Sequence, residues 1–360
     1  MNNLLIMASR DKRVDHVLAE VRKLNKKVHR KKKVLNEFLV AVKEKMNECK
    51  CELLRGAFFQ HSGSGFEGTA VSDEACFDIL LVLPEPFRGH NFEVTERHGP
   101  GSYKLQWTDN EDVEKPDFIN KNGYLQARKL RDSAYDGLSE VLSDMRDHNG
   151  WSVHYNPPLD SLSAKLIDKD GDTLKIDIVA QIGEPNCYRV PGMIKRGQLP
   201  RSLQDYIHRI AFPVFYNLAP SCQHQTKTDA HLLVSTSFSL LEKHCMKETE
   251  RLRDIVILVK LVSQSRNWKK DFFLQAIHIK RVAIKHYDEL NAECTWAGFQ
   301  KLLRYLSSEL KIGVIKGFFI DDEDIFCKNE NTCKLLTAQI RGAKSLISPS
   351  NLWNVLPGEE

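Results

Sequence analysis

Between residues 11 and 55 the apolar positions recur at helical spacing. Val14, Leu18, Val21, Leu24, Val28, Leu35, Phe38, Val42 and Met46 form one stripe, with no Pro or Gly before Gly56. Lys31 alone interrupts the stripe, and its long stem can snorkel past an apolar face. The spacing predicts a single long amphipathic helix. After Gly56 the texture changes: Ser62-Gly63-Ser64-Gly65 reads as a turn, leading to Cys76-Phe77-Asp78-Ile79-Leu80-Leu81-Val82-Leu83, a strand closed by Pro84.

Residues 109–121 are polar and loop-like, and Tyr124 to Met145 carry a second helical stripe through Leu130, Leu138, Val141, Leu142 and Met145. Ser163–Ile167 and Leu174–Val179 flank the acidic turn Asp168-Lys169-Asp170-Gly171-Asp172, which predicts a hairpin. A calcium loop is excluded because the twelfth position counted from Asp168 is Val179, where a bidentate Glu is required. From about Leu203 the apolar spacing becomes three to four, with helices expected near 236–264, 270–287, 296–310 and 334–348. Strands first and helices after predict an α+β chain, with a mixed core over 1–202 and a helical lobe over 203–360.

The 360 residues suffice for a substantial core, and 42% apolar with 28% charged residues is ordinary for a globular protein. No apolar run approaches the roughly 20 residues that span a bilayer, and the first residues do not read as a signal peptide, so a cytoplasmic or nuclear protein without membrane contact is expected. Nine scattered cysteines form no CxxC pair. Cys222, His224, His244 and Cys245 match no closed zinc spacing. The net charge of +4 is mild, but residues 22–33 concentrate Lys26, Lys27, Arg30, Lys31 and Lys32 in a basic block. Such a block serves as a phosphate-binding face, a nuclear-targeting stretch or the solvated side of an amphipathic helix.

The chemistry-bearing residues follow an order: a Gly-Ser turn, an acid on the next strand, and an acid on a much later strand. Phosphoryl transfer between nucleotides uses divalent cations, Mg2+ or Mn2+, held by hard oxygen ligands. Asp78 and Asp177 are candidates for two of those ligands, and Gly63-Ser64 for phosphate contact. Residues at i and i+2 of a strand share a face, so Cys76 is the side chain beside Asp78. Two strand acids facing solvent or pairing with lysines account for the same pattern without chemistry.

On these residues the sequence resembles the cyclic GMP-AMP synthase-like and male-abnormal-21 family. Gly63-Ser64-Gly65-Phe66-Glu67-Gly68-Thr69 is similar to its Gly-Ser phosphate motif, and Cys76 and Asp78 fall where the family usually has Glu-x-Asp. Gly123 to Arg131 resembles the male-abnormal-21 helix signature, and Lys175-Ile176-Asp177-Ile178 the strand of the third carboxylate. Ser237-Phe238-Ser239-Leu240-Leu241-Glu242-Lys243 resembles the Ser-Phe-Ser-x-x-Glu-Lys segment, and His278-Ile279-Lys280 a later helix. The resemblance runs from about residue 11 to 348. It implies a two-lobed fold with a polymerase-β-like nucleotidyltransferase core, metal ligation at Asp78 and Asp177, and nucleotide contact at Ser62, Gly63, Ser64, Ser239 and Glu242. It further implies that the basic face of the first helix binds a duplex, RNA or DNA.

The departures are specific. Cys76 stands at the first carboxylate, and a thiol is a poor ligand for magnesium. Ala276-Ile277 replaces the Ser-Tyr of nucleotide-making relatives, and Ser235 replaces a nucleotide-contacting arginine. The cysteine-rich zinc insertion is missing between Lys243 and Asp254, so no zinc is expected and the invertebrate-type sensors are the nearer likeness. Two readings follow. One is an enzyme joining ATP and GTP into a cyclic dinucleotide on sensing a ligand in innate immunity, with Asp78 and Asp177 catalytic and Asp73 or Glu74 standing in for the lost acid. The other is a catalytically inactive relative that binds nucleotide or nucleic acid.

Overall fold

The computed structural model describes residues 2–72, 76–87, 91–97, 101–108, 114–156, 161–184, 214–219, 229–316, 324–326 and 328–355; for residues 2–11 it describes the backbone alone. Asp73 and Glu74, part of the polar stretch 109–121, Cys222 and His224 lie outside them.

A run without Gly or Pro forms α1, Asn2–Glu48. Its apolar stripe is divided between two cores. Val14, Val17, Leu18 and Val21 pack with the later helices. Val28, Leu35, Phe38, Val42 and Met46 pack against the sheet. One element therefore spans both. The helix stops at Glu48, short of the expected residue 55, where Glu52–Leu54 forms a 3-10 turn that buries Leu54 and Gly56 takes φ +80°.

Among the described residues ten strands form one sheet: β1 Phe58–Ser62, β2 Cys76–Val82, β3 Phe92–Arg97, β4 Ser102–Trp107, β5 Asp147–His148, β6 Trp151–Tyr155, β7 Leu162–Ile167, β8 Thr173–Glu184, β9 Val214–Asn217 and β10 Leu233–Ser237. The path runs β3-β4-β10-β9-β8-β7-β6-β5, with β2 also on β8 and β1 on β2. All pairings are antiparallel except β2 with β8. Alternation then sorts the side chains. Phe77, Ile79 and Leu81 of β2, with Leu174, Ile176 and Ile178 of β8, are fully buried on one face. There α3, Ala127–Ser143, covers them, and Tyr135 ties it to β8 by donating to the Ile178 carbonyl (3.2 Å) and accepting from the Ala180 N–H (3.1 Å). The opposite face carries Cys76, Asp78 and Asp177.

Two expectations are corrected. The sheet continues past residue 203, because β9 and β10 belong to it, and among the described residues after 203 the α-helices begin at Ser239. Their short four- and five-residue runs lacked a readable period. The expected helix 236–264 is two: α4 Ser239–Glu248 and α5 Glu250–Ser265, separated at Thr249 in extended conformation. Then follow α6 Trp268–Phe272, α7 Ala276–Lys285, α8 Tyr287–Asn291, α9 Thr295–Lys311 and α10 Glu330–Leu346, the last capped by Asn329 on the Thr332 N–H (2.9 Å). The mixed α+β class stands. No helix among the described residues is long and apolar enough to cross a membrane.

Burial along α1 yields a direct test. Phe38 is fully buried and Val40, two residues on, is 58% exposed. Phe38→Ala is expected to cost about 3–5 kcal/mol in chemical denaturation, whereas Val40→Ala stays within roughly 0.5 kcal/mol.

Candidate metal and nucleotide cleft

The parallel register sets Asp78 opposite Asp177 and Cys76 opposite Lys175. Ser62 of β1 lies opposite Asp78, and Ser163 of β7 opposite Asp177. The Cys76 thiol donates to Asp177 Oδ2 at 3.0 Å, and the Ser163 hydroxyl donates to Oδ1 at 2.5 Å. Each oxygen of Asp177 thus has a partner that fixes the carboxylate plane. One ligand atom from each of Cys76, Asp78 and Asp177 lies within 4.8 Å of the others.

Directly beyond β1 the chain turns at Gly63, with φ +81°. A side chain would be strained there: φ is left-handed, and an added Cβ would fall 1.9 Å from Asp78 Oδ2 and force that carboxylate to move. The glycine therefore lets the Ser64 turn close onto the carboxylate. The Gly63 carbonyl accepts from the N–H groups of Phe66 and Glu67, making one helical turn, α2, Ser64–Glu67.

These groups line a cleft of about 1160 Å³ between the sheet and the helices. Ser62, Gly63, Ser64, Cys76, Asp78, Asp177, Ser239 and Glu242 all border it, with Lys260, Lys269, Lys270 and Lys280 on the helical side. The separate sequence motifs are brought together. Burial pushes the Asp78 carboxyl up to about 6; Lys280 opposes this, while Asp177, Glu67 and Glu242 add to it. Burial and the hydrogen bond to Asp177 push the Cys76 thiol up as well.

Below the cleft lies a buried ion network. Lys280 contacts Glu67 Oε1 at 3.0 Å and Glu242 Oε2 at 3.1 Å, and Arg281 Nε donates to Glu242 Oε1 at 2.9 Å. Burial disfavours the Glu242 charge, but Lys280 and Arg281 outweigh it and hold the carboxyl below its usual range. Glu242, an expected nucleotide contact, borders the cleft with its carboxylate already paired to two cations. His278 is structural too: it caps α7, Nδ1 accepting from the Gln275 N–H (3.0 Å) while Nε2 meets the Ile325 carbonyl (3.0 Å). Burial, with Arg281, brings its pKa to about 4, so it stays neutral at pH 7.

Lys260 was not anticipated. It sits fully within the apolar run Ile255–Leu261 of α5, donates to the Thr69 carbonyl, and is drawn down to about 7 by burial and by Lys280, against Glu67 and Asp78. A lysine in the middle of such a run was the available signal.

The basic face needs one correction. Lys26, Lys27 and Arg30 are exposed on α1, but Lys31 turns inward, its ammonium 2.7 Å from Asp172 Oδ1 in the β7–β8 turn. Lys32 is half-buried over the Phe66 ring at 5.6 Å, where Lys243 joins it at 5.8 Å.

No protein-family model matches the chain, and no curated protein matches it significantly.

The raised Asp78 pKa carries a stability consequence. A folded value of about 6 against an ordinary 3.8 means that the folded state favours the neutral carboxyl. That advantage is full below about pH 4 and is lost as pH rises through 6. Asp78→Asn should raise the unfolding free energy at pH 8, read by chemical denaturation, by an amount of order 1–3 kcal/mol. The gain should vanish near pH 4; a gain that is equal at both pH values would contradict the buried charge.

Proposed function

We propose that this chain is a divalent-metal-dependent nucleotidyltransferase of the cyclic GMP-AMP synthase-like kind, joining ATP and GTP, or two like nucleotides, into a cyclic dinucleotide. The observation that carries the reading is the juxtaposition of Asp78 and Asp177 beneath the Gly63–Ser64 turn, in a cleft whose far side is lined by lysines. Magnesium is commonly held by only one or two carboxylates together with substrate phosphates. Asp78 and Asp177 fit that demand, and the Gly63 cradle brings a phosphate-sized turn against the first of them. When bound, Mg2+ or Mn2+ would neutralise triphosphate charge and align the reacting oxygens.

The protein's own residues have separable tasks. The Gly63–Ser64 turn receives phosphate oxygens, while Lys260, Lys269 and Lys270 offset their charge from the helical side. Lys280 is held between Glu67 and Glu242, so α2, which carries the turn, is anchored to α7 and α4. Asp177, fixed by Ser163, is the carboxylate set to receive the proton of an attacking hydroxyl. Ser62 and Ser239 supply hydroxyls at the cleft wall.

A second reading is favoured by one observation: the Cys76 thiol is hydrogen-bonded to Asp177 in the place of a third carboxylate, and Ala276 and Ile277 line the cleft without hydroxyl or ring. In that reading the cleft binds nucleotide without turning it over. Purified chain incubated with labelled ATP and GTP, Mg2+ or Mn2+, and duplex RNA or DNA separates them. The enzyme reading expects a cyclic product that Asp177→Asn reduces by at least ~100-fold. Nucleotide binding with no product, gained on Cys76→Glu, establishes the second reading. Activity unchanged in Asp177→Asn contradicts the site.

The exposed cations of α1 support a duplex nucleic acid as activating partner. Replacing Lys26, Lys27 and Arg30 by Ala should weaken duplex binding and flatten its dependence on log salt by about one unit per lost phosphate contact. Lys31→Met should leave that slope unchanged while lowering stability, because Lys31 is engaged with Asp172.

A further inference from the structure

We infer that Cys76, Asp78 and Asp177 together form a mixed thiolate–carboxylate site for a borderline-soft divalent cation, with zinc as the preferred ion. The site itself follows from geometry. Strand alternation on β2 gives Cys76 and Asp78 one face, and the parallel register of β8 adds Asp177 to it. The Cys76 sulfur is 3.0 Å from Asp177 Oδ2, and the three ligand atoms span no more than 4.8 Å.

A tetrahedral zinc ion with Zn–S near 2.3 Å and Zn–O near 2.1 Å separates its ligand atoms by about 3.4–3.6 Å. The sulfur–oxygen distance of 3.0 Å lies about half an ångström short of that value and no pair of ligand atoms exceeds 4.8 Å, so side-chain rotations can admit the ion. Three protein ligands and one open position is the usual arrangement of a reactive zinc site. Ser163 holds Asp177 by Oδ1 and leaves Oδ2, the oxygen now facing sulfur, to turn to the ion. The cluster borders the open cleft, which provides a path of entry.

Binding replaces the S–H···O hydrogen bond. The thiol proton passes to solvent, the thiolate and the two carboxylates ligate the ion, and no electron is transferred. Magnesium, which takes hard oxygen donors, gains nothing from the sulfur. Zinc would also occupy both carboxylates that the proposed reaction needs and so inhibit it; that consequence rests on the function proposed above, whereas the site does not.

The test uses the full chain and the metals alone. Cobalt(II) should give a near-ultraviolet thiolate-to-metal charge-transfer band at one equivalent, displaced by zinc. Cys76→Ser should abolish the band and weaken zinc, measured against a chromophoric chelator, by at least ~100-fold. Asp177→Asn should also weaken zinc, which guards against a single misfolded variant, and circular dichroism checks the fold of both. No band in the natural chain, or equal zinc affinity in Cys76→Ser, overturns the site. A fluorescent ATP analogue with Mn2+ reads the proposed function separately. Nucleotide binding without zinc binding removes this inference alone. Zinc binding through Cys76 without nucleotide binding sustains it and removes the function.

Discussion

Two carboxylates held side by side on adjacent strands are the constraint around which the molecule is arranged. The β2–β8 pairing is the one parallel ladder of the described sheet, and it makes Asp78 and Asp177 direct neighbours on the half-buried face that borders the cleft. For Asp78, burial and the neighbouring carboxylates oppose ionisation. The surroundings of the two differ. Asp177 receives two hydrogen bonds, whereas Asp78 depends on Lys280, itself shared with Glu67 and Glu242, and its pKa still rises. A purely structural sheet gains nothing from such an arrangement. A cation with bound phosphates would relieve it, and that is the physical basis for the functional reading.

The same logic explains the ion network behind the cleft. Lys280 and Glu242 are almost fully buried, a state that costs free energy unless each charge is paired and well oriented. Here the pairs join three elements that otherwise touch the site from different sides: α2 beneath the Gly-Ser turn, α4 and α7. Position is what the network contributes. It keeps the turn, and with it Gly63, against Asp78. The long α1 adds a second brace, since its stripe belongs to the helical core at one end and to the sheet core at the other.

Much of this was readable in the chain, for physical reasons. The α1 stripe, the β2 run and the β7–β8 hairpin have strong periods and clear turn residues, and they formed as expected with shifted ends. The expectation failed where elements are short or paired at long range: β9 and β10 have too few residues to show alternation, and nothing local signals the break at Thr249. The candidate residues themselves were legible, because acids on apolar strands are conspicuous. Their surroundings were not. That Lys31 reaches Asp172, that Glu242 is spent on two cations, and that Ser163 orients Asp177 are consequences of register and packing across more than a hundred residues in the first case and two strands in the last.

The central claim is that Asp78 and Asp177 hold a divalent cation whose remaining positions belong to nucleotide phosphates on the Gly63–Ser64 turn. Crystals of the chain grown with Mn2+ and a non-hydrolysable ATP analogue test it most directly, through the anomalous scattering of manganese. The account predicts a peak bridging the two aspartates, with the triphosphate running from it to Gly63 and Ser64. A nucleotide bound elsewhere, or no manganese between these carboxylates, would contradict it.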